Sequence, residues 1–280
     1  MGRAVRWGVL ALIGANPASG FLQPHALARR TSVRAAAAGI LPTDVPQQQQ
    51  CSTLVVPFSN EAASQFDAAQ QKKDHSLLVL HRSLPEAILR GLGALAFSAH
   101  PFKAEAVASA TDDVSWLDHV TRPLLEGTTA QPRDHLPAWD WLRRDLVDVH
   151  ARFARAVGAE TGANPQQVAV AVKAEVLEKG KCPRFHVDKV PLRLLCTYVG
   201  PGTEWLQDQH TDWNQLRHNR QSAPACNEAI SRGHEAMQAG PGSVLLLRGM
   251  QPRRGQRGVA HRSPDMGEGE RRLVTTMDIA

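Results

Sequence analysis

The chain has 280 residues, of which 42% are hydrophobic, enough to form the core of one globular domain with extensions. Its formal charge is +5, and residues 1–43 hold five arginines and no acid; of 32 Lys and Arg the rest of the chain therefore keeps 27, against 27 Asp and Glu. A neutral remainder excludes the electrostatic argument for nucleic-acid binding. Four cysteines in a chain of this length do not form a disulfide framework, so we expect reduced thiols or a metal ligand.

Residues 1–44 have the pattern of a removable targeting presequence. Two arginines precede the apolar run 7–13, which is too short to span a bilayer but fits a signal-peptide core with cleavage near Gly20. Residues 21–35 are rich in Arg, Ser and Ala and lack acids, as transit peptides do. This combination resembles the bipartite plastid presequence of algae with secondary plastids. We expect plastid import and no membrane association of the mature form; mitochondrial import, secretion or a disordered cytosolic N-terminus are alternatives.

Residues 45–74, which include four consecutive glutamines, are predicted to be a linker before one domain over 75–280. Within that domain the pattern predicts helical support over 75–160 and a β core over 165–280. Two segments carry the helical prediction. Residues 76–92 place most apolar side chains on one helical face, interrupted by a proline, and residues 138–157 repeat them at three- and four-residue steps.

After Asn164-Pro165 the apolar period changes to two, which predicts strands. These cover residues 168–177, one or two stretches within 185–198 around a proline, the buried run 243–247, and 272–278. Gly200-Pro201-Gly202 predicts a turn, and the polar stretch 206–240 an irregular insertion. Helices followed by short, turn-punctuated strands indicate an α+β domain whose β part forms a sandwich or barrel.

His186 and Asp188 are the first candidates for a metal site. Two positions apart on a strand, an imidazole and a carboxylate project from one face, roughly 6–7 Å apart, so both can reach one ion. A His on another strand would complete a facial triad, which leaves about three coordination positions open and is used by non-haem Fe(II) oxygenases. About one His-x-acid motif arises by chance in such a chain, so backbone hydrogen bonding of both side chains is the alternative. His210 and Asp212 have the same spacing but no strand pattern, and we discount them.

The order of these features resembles the iron/2-oxoglutarate dioxygenase superfamily, whose core is a double-stranded β-helix, or jelly-roll, of the cupin type. The shared order is a strand with His-x-Asp, a long insertion, Pro-Gly-Ser with an apolar strand, a second His, an Arg and a final strand. The resemblance implies an α+β fold with a jelly-roll core and N-terminal supporting helices. It makes His261 the third ligand of Fe(II), and the expected activity is 2-oxoglutarate-dependent hydroxylation of an unidentified substrate.

In that superfamily a basic residue on the last strand pairs with the far carboxylate of 2-oxoglutarate, since a guanidinium fork holds a carboxylate bidentately. Arg271 and Arg272 must face opposite ways on a strand, so only one can enter the cavity. The alternation leaves both possible, and the family pattern favours Arg272. Tyr198 is a further candidate for the keto-acid carboxylate, although core packing with a satisfied hydroxyl is favoured. The residues after the glycine turn, Thr203, Glu204 and Trp205, are a candidate substrate loop.

Residues 182–188, 194–198 and 200–205 also resemble a narrower, mostly bacterial domain family of uncharacterised function, linked with metal-responsive and particularly zinc-related genes. This resemblance covers 165–280 well and the helical region weakly. It supports a rival: counting by twos from Asp188 reaches Cys182, which would close a four-ligand set suited to Zn²⁺ in a non-catalytic metal-homeostasis protein. A structural role for that cysteine is the alternative. A jelly-roll interaction module without metal is a third possibility.

Overall fold

The computed structural model describes residues 52–56, 62–71, 75–109, 111–112, 114–126, 132–250 and 257–280, and the expected presequence, 1–44, lies outside them. The strands are β1 (Ser52–Val56), β2 (His75–Leu80), β3 (Phe102–Ala108), β4 (Val170–Leu177), β5 (Leu192–Val199), β6 (Glu204–Trp205), β7 (Met237–Gln238), β8 (Val244–Arg248), β9 (His261–Arg262) and β10 (Arg272–Ile279). The α-helices are α1 (Ala62–Gln71), α2 (Glu86–Ser98), α3 (Ser115–Thr121), α4 (Pro123–Glu126), α5 (Pro132–Thr161), α6 (Trp213–His218) and α7 (Ala223–Ser231).

The strands form two sheets. The larger has seven strands in the order β1-β2-β8-β5-β10-β4-β3, and every neighbouring pair is antiparallel except β1 and β2. The smaller has three strands in the order β7-β6-β9. The protein is therefore a mixed α/β structure built on one large, mostly antiparallel sheet.

Strand β8 shows how the large sheet separates two cores. Every residue of β8 is buried, because successive side chains point to opposite faces and both faces are covered. Val244 and Leu246 belong to the core that includes the helices, whereas Leu245 and Leu247 belong to a second apolar cluster with Trp205 of the small sheet. The large sheet therefore lies between a helical layer and the small sheet.

The helix predicted over 138–157 is confirmed and lies within α5. Its apolar residues recur at three- and four-residue steps and are all buried in the main core, namely Leu142, Leu146, Val149, Phe153 and Val157. None of the helices in the described ranges has the length and apolar character that crossing a membrane requires.

The segment predicted as one helix over 76–92 divides at Pro85 into strand β2 and helix α2. Residues 77–80 of β2 are all buried, and a continuous apolar run of this length is compatible with either a buried strand or a buried helix. The predicted linker, 45–74, contains β1 and α1, and β1 pairs with β2 at one end of the large sheet. Because these elements pair and pack, the domain begins before residue 75.

The β part agrees better with the expectations. Strands β4, β8 and β10 match the predicted strands within two residues at each end. Within 185–198, however, only β5 is a continuous strand, and His186 takes part in an isolated bridge. The stretch 206–240 is not irregular, since it contains α6, α7 and β7.

Tyr198 lies on the helical face of β5, in the main core, and not in the cavity described below. Its hydroxyl donates a hydrogen bond to Asp145 Oδ2 at 2.8 Å, and the same carboxylate accepts from Arg82 Nη1 and Nη2 at 2.5 and 2.9 Å. Burial and then Asp145 raise the pKa of Tyr198 well above its ordinary value, so the phenol keeps its proton and donates. The proposed contact of Tyr198 with a keto-acid is therefore corrected: the alternation of β5 directs this side chain to α5.

We predict that Tyr198→Phe destabilises the fold by about 1 kcal/mol, because a buried hydrogen bond is lost while Arg82 still satisfies Asp145. Urea unfolding measures the change in the free energy of unfolding. Metal content and 2-oxoglutarate affinity should stay at the wild-type level, and a loss of either would return Tyr198 to the functional site.

Candidate metal centre

The structure brings His186, Asp188 and His261 together. One ligand atom from each lies within 4.8 Å of the others, and in the described part of the chain no other group of three or more His, Cys, Asp or Glu has this geometry. His186 and His261 form an antiparallel bridge, with backbone N–O distances of 3.0 and 2.9 Å, and their ring centroids are 4.5 Å apart. Residues 75 positions apart in sequence are thus fixed side by side by the backbone.

Hydrogen bonds to backbone carbonyls orient both imidazoles. His186 Nδ1 lies 2.9 Å from the Arg184 carbonyl oxygen, and His261 Nδ1 lies 3.1 Å from that of Val259. A carbonyl only accepts, so each Nδ1 donates, and in the neutral imidazole each Nε2 then has its lone pair free for a metal ion. Burial, followed by the neighbouring His261, lowers the pKa of His186, which favours the neutral form that metal binding needs.

Asp188 supplies the carboxylate. Burial alone would raise its pKa, but His261 and Arg193 outweigh burial and lower the pKa, so the group is ionised. Its Oδ1 accepts from Arg193 Nη1 at 2.7 Å, whereas its buried Oδ2 accepts no hydrogen bond from the described residues and lies 3.4 Å from His261 Nε2. Buried carboxylate oxygens normally have a partner. Two imidazoles that hydrogen-bond backbone carbonyls through Nδ1, and an ionised carboxylate with one oxygen that accepts no hydrogen bond from the described residues, fit a divalent metal ion.

A glycine after β8 holds the loop that carries Asp188. Met250 N donates to the Asp188 carbonyl at 2.9 Å, and Gly249 N donates to the Pro191 carbonyl at 3.2 Å. A Cβ at Gly249 would lie 2.0 Å from the Val190 carbonyl oxygen and 2.6 Å from that of Asp188, so only glycine lets the two segments approach. Sequence reasoning missed this residue, although a glycine directly after a buried strand is a signal of close backbone approach.

The closed zinc set, the rival to the three-ligand site, is not formed by the described residues. Cys182 is exposed and does not belong to the group of three, because the residues before His186 do not continue as a regular strand. His210 and Asp212, the second pair with the His-x-Asp spacing, have other roles. Asp212 accepts from two backbone N–H groups at the start of α6, and His210 stacks on His234 with ring centroids 4.0 Å apart. Both observations leave His186, Asp188 and His261 as the candidate ligands.

A cavity of about 230 Å³ is lined by both histidines and by Arg272. Arg272 is 3% exposed, and its Nη2 donates to Thr197 Oγ1 and Thr203 Oγ1 at 3.1 and 3.0 Å. It forms no ion pair with any carboxylate in the described ranges, and its buried Nε donates to none of the described groups. Burial lowers the pKa of Arg272 to about 10, against the opposing effect of Glu175, so the guanidinium is still charged at neutral pH.

Arg271, the alternative to Arg272, lies outside the cavity and pairs with Glu178 Oε1 at 2.5 Å. The two arginines thus face opposite ways, as a strand requires. Sequence reasoning missed the hydroxyls that hold Arg272, which include Ser263 Oγ at 3.4 Å from Nη1.

The predicted substrate loop, 203–205, does not form a loop at a cavity mouth. Thr203 is buried against Arg272, whereas Glu204 and Trp205 form β6. Glu204 Oε2 accepts from Arg262 Nε at 2.6 Å, and Trp205 is 1% exposed in the apolar cluster between the sheets. Of the three, only Thr203 lines the cavity, because β6 pairs with β9 and its side chains are committed to the small sheet.

The model of one protein family matches residues 64–278, and its description is "Protein of unknown function (DUF1826)". The chain belongs to this family. The match spans α1 to β10 and therefore includes the three candidate ligands and Arg272. No curated protein sequence matches the chain.

Among solved structures, this DUF1826 chain is similar to oxygenases at low identity. The rice dioxygenase for auxin oxidation is 12% identical with a TM-score of 0.44, over 82% of this chain and 83% of that one. Dioxygenase for auxin oxidation 1 from Arabidopsis thaliana, solved as a 2-oxoglutarate binary complex, is 8% identical with a TM-score of 0.40, over 82% and 92%. An oxidoreductase of the 2OG-Fe(II) oxygenase family from Burkholderia pseudomallei is 10% identical with a TM-score of 0.36, over 81% and 94%. TM-scores this low carry no argument about function, which rests on the residues of the site.

We predict that His186→Ala and His261→Ala each remove most of the bound metal, because two remaining ligands hold an ion far more weakly than three. Elemental analysis of protein purified without oxygen and loaded with Fe(II) measures the loss. His210→Ala is the matched control and should keep the wild-type metal content. Equal metal content in all three variants would end the metal assignment.

Proposed function

We propose that this protein is an Fe(II)- and 2-oxoglutarate-dependent oxygenase with a jelly-roll core. The observation that carries the proposal is a buried, charged Arg272 without a described carboxylate partner, in the same cavity as a His-Asp-His cluster. A buried charge without a partner is costly, so the cavity favours an anion that reaches both Arg272 and the metal ligands. 2-Oxoglutarate is such an anion, with a keto-acid end for the metal and a second carboxylate for the guanidinium.

Different side chains would bind the metal ion at one end of the cavity and the far carboxylate of 2-oxoglutarate at the other. His186, Asp188 and His261 would hold Fe(II) and leave about three coordination positions open. Arg272 would hold the far carboxylate, and Thr197 and Thr203 fix the guanidinium through its Nη2. Iron bound there would supply O₂ activation coupled to oxidative decarboxylation of 2-oxoglutarate and hydroxylation of a substrate. The chain itself contributes the orientation of the keto-acid.

The alternative is a non-catalytic zinc-binding or metal-homeostasis protein on the same fold. Two histidines and one carboxylate also suit Zn²⁺, so the donor set does not separate the two metals. The exposed Cys182 outside the cluster removes the fourth protein ligand that a closed zinc site would use. The zinc alternative also gives no role to the charged Arg272 in the cavity, and we therefore favour the oxygenase.

We predict that Arg272→Leu weakens 2-oxoglutarate binding by about 2–5 kcal/mol, because the far carboxylate would be buried without its charge partner. Calorimetric titration of the Fe(II) protein without oxygen measures the affinity, and metal content should stay at the wild-type level. Arg271→Leu is the matched control, since it removes the neighbouring guanidinium from outside the cavity. Wild-type protein that holds zinc and binds no 2-oxoglutarate would favour the metal-homeostasis alternative.

We also propose that residues 1–44 deliver the protein to a plastid and are then removed. The support is their sequence alone: a short apolar run after two arginines, then an acid-free segment rich in Arg, Ser and Ala. A fluorescent protein fused behind residues 1–44 should enter plastids, and deletion of residues 1–44 should leave the thermal midpoint of the domain nearly unchanged. Fluorescence in mitochondria or in the medium would instead support mitochondrial import or secretion. A large fall in the thermal midpoint would show that residues 1–44 pack on the domain.

A further inference from the structure

We propose that Arg193 is a positioning residue that makes Asp188 bind the metal ion through Oδ2 alone and so keeps one coordination position open. This inference rests on the proposed metal centre and adds a residue that the ligand set does not contain. Arg193 belongs to β5, five residues after Asp188, and its side chain lines the cavity.

The two oxygens of Asp188 have different surroundings. Oδ1 accepts a hydrogen bond from Arg193 Nη1 at 2.7 Å and lies 3.9 Å from His186 Nε2, whereas the buried Oδ2 accepts no hydrogen bond from the described residues and lies 3.4 Å from His261 Nε2. An oxygen that already accepts a charge-assisted hydrogen bond competes poorly for a cation. The ion therefore takes Oδ2, and Arg193 keeps Oδ1 out of the coordination sphere.

A second carboxylate holds Arg193 in place. Asp278 Oδ1 and Oδ2 accept from Arg193 Nε and Nη2 at 2.7 and 2.8 Å, so the guanidinium bridges two carboxylates. Asp278 lies directly opposite Arg193 in the pairing of β5 with β10, where cross-strand side chains of opposite charge attract. Lys173 Nζ, 3.5 Å from Asp278 Oδ2, supports the same carboxylate. The position of Asp188 is thus fixed from the centre of the large sheet.

The effect of Arg193 on the metal is geometric more than electrostatic. Asp278 offsets the positive charge of the guanidinium, so the pair adds little net charge near the ion. The planar fork of arginine reaches both carboxylates at once, and a lysine ammonium, a single point charge on a flexible stem, does not reproduce that arrangement. A lysine at position 193 should therefore fail to restore the function of the arginine.

Freed from Arg193, the carboxylate of Asp188 can turn both oxygens to the ion, since carboxylates bind cations through one oxygen or through two. Two-oxygen binding would occupy one of the open positions of the triad. The keto-acid end of 2-oxoglutarate takes two positions, and the third is needed for O₂. Arg193 therefore protects the position on which an oxygenase reaction depends.

The test uses full-length protein loaded with Co(II), whose visible absorption weakens as the coordination number rises. We compare Arg193→Met, Arg193→Lys and Asp278→Asn with Arg262→Met, a control that removes an arginine beside His261. Arg262 pairs with Glu204 at 2.6 Å, and its side chain is 18% exposed, against 24% for Arg193. The control thus breaks a comparable ion pair that does not involve a metal ligand.

We expect one Co(II) per chain in every variant. Both Arg193 variants should show weaker visible absorption, because the second oxygen of Asp188 then adds to the coordination of the ion. Asp278→Asn should change in the same direction by less, and if Arg193→Met does not fold, Arg193→Lys and Asp278→Asn decide. Wild-type spectra in folded Arg193 variants would overturn the proposal. Loss of the ion from folded Arg193→Lys and Asp278→Asn would also overturn the proposal. Arg193 would then be needed for metal binding itself and not for the number of Asp188 oxygens that bind the ion. Wild-type protein that takes up no Co(II) would instead refute the metal centre, without reference to any variant.

Discussion

Two backbone hydrogen bonds between His186 and His261 hold the candidate centre together. They join the segment before β5 to the small sheet. The two histidines are therefore neighbours because of the backbone, and their side chains lie next to each other. The carbonyls of Arg184 and Val259 then set both tautomers, and the glycine after β8 lets the Asp188 loop approach. The two histidines are thus positioned by main-chain hydrogen bonds, and Asp188 by its loop together with the Arg193 side chain.

Buried charge is distributed unequally across the cavity. Arg193 is saturated by two carboxylates, whereas the described hydrogen-bond partners of Arg272 are all hydroxyls. Hydroxyl groups orient a guanidinium without neutralising it, so its charge remains available to an anionic ligand. The first arrangement fixes a metal ligand, and the second creates affinity for a carboxylate. The same residue type therefore serves structure at one wall and binding at the other.

The covering of the large sheet explains why some candidates lie in the site and others do not. On β5, Tyr198 and Cys196 face the helices, while Arg193 lines the cavity and Thr197 contacts Arg272. Arg272, the first residue of β10, lines the cavity, and Arg271, directly before the strand, pairs with Glu178. A shift of one residue in the register of either strand would turn the cavity-facing side chains to the opposite face of the sheet. The partly covered face leaves room for a cavity next to the apolar cluster that contains Trp205.

Most of helix α5, strands β4, β8 and β10, and the pair of His186 and Asp188 could be predicted from local periodicity and from the spacing and chemistry of residue types, whereas His261 followed from the resemblance to the iron/2-oxoglutarate dioxygenase superfamily. Strand β2 could not be predicted, since a short, fully buried apolar run has no helical or strand period of its own. Nor could the face of β5 that holds Tyr198, the lack of a carboxylate partner for Arg272 among the described residues, or the bridge that Arg193 forms between Asp188 and Asp278. Those features arise from the pairing of strands distant in sequence, and only the tertiary structure decides which side chains then meet.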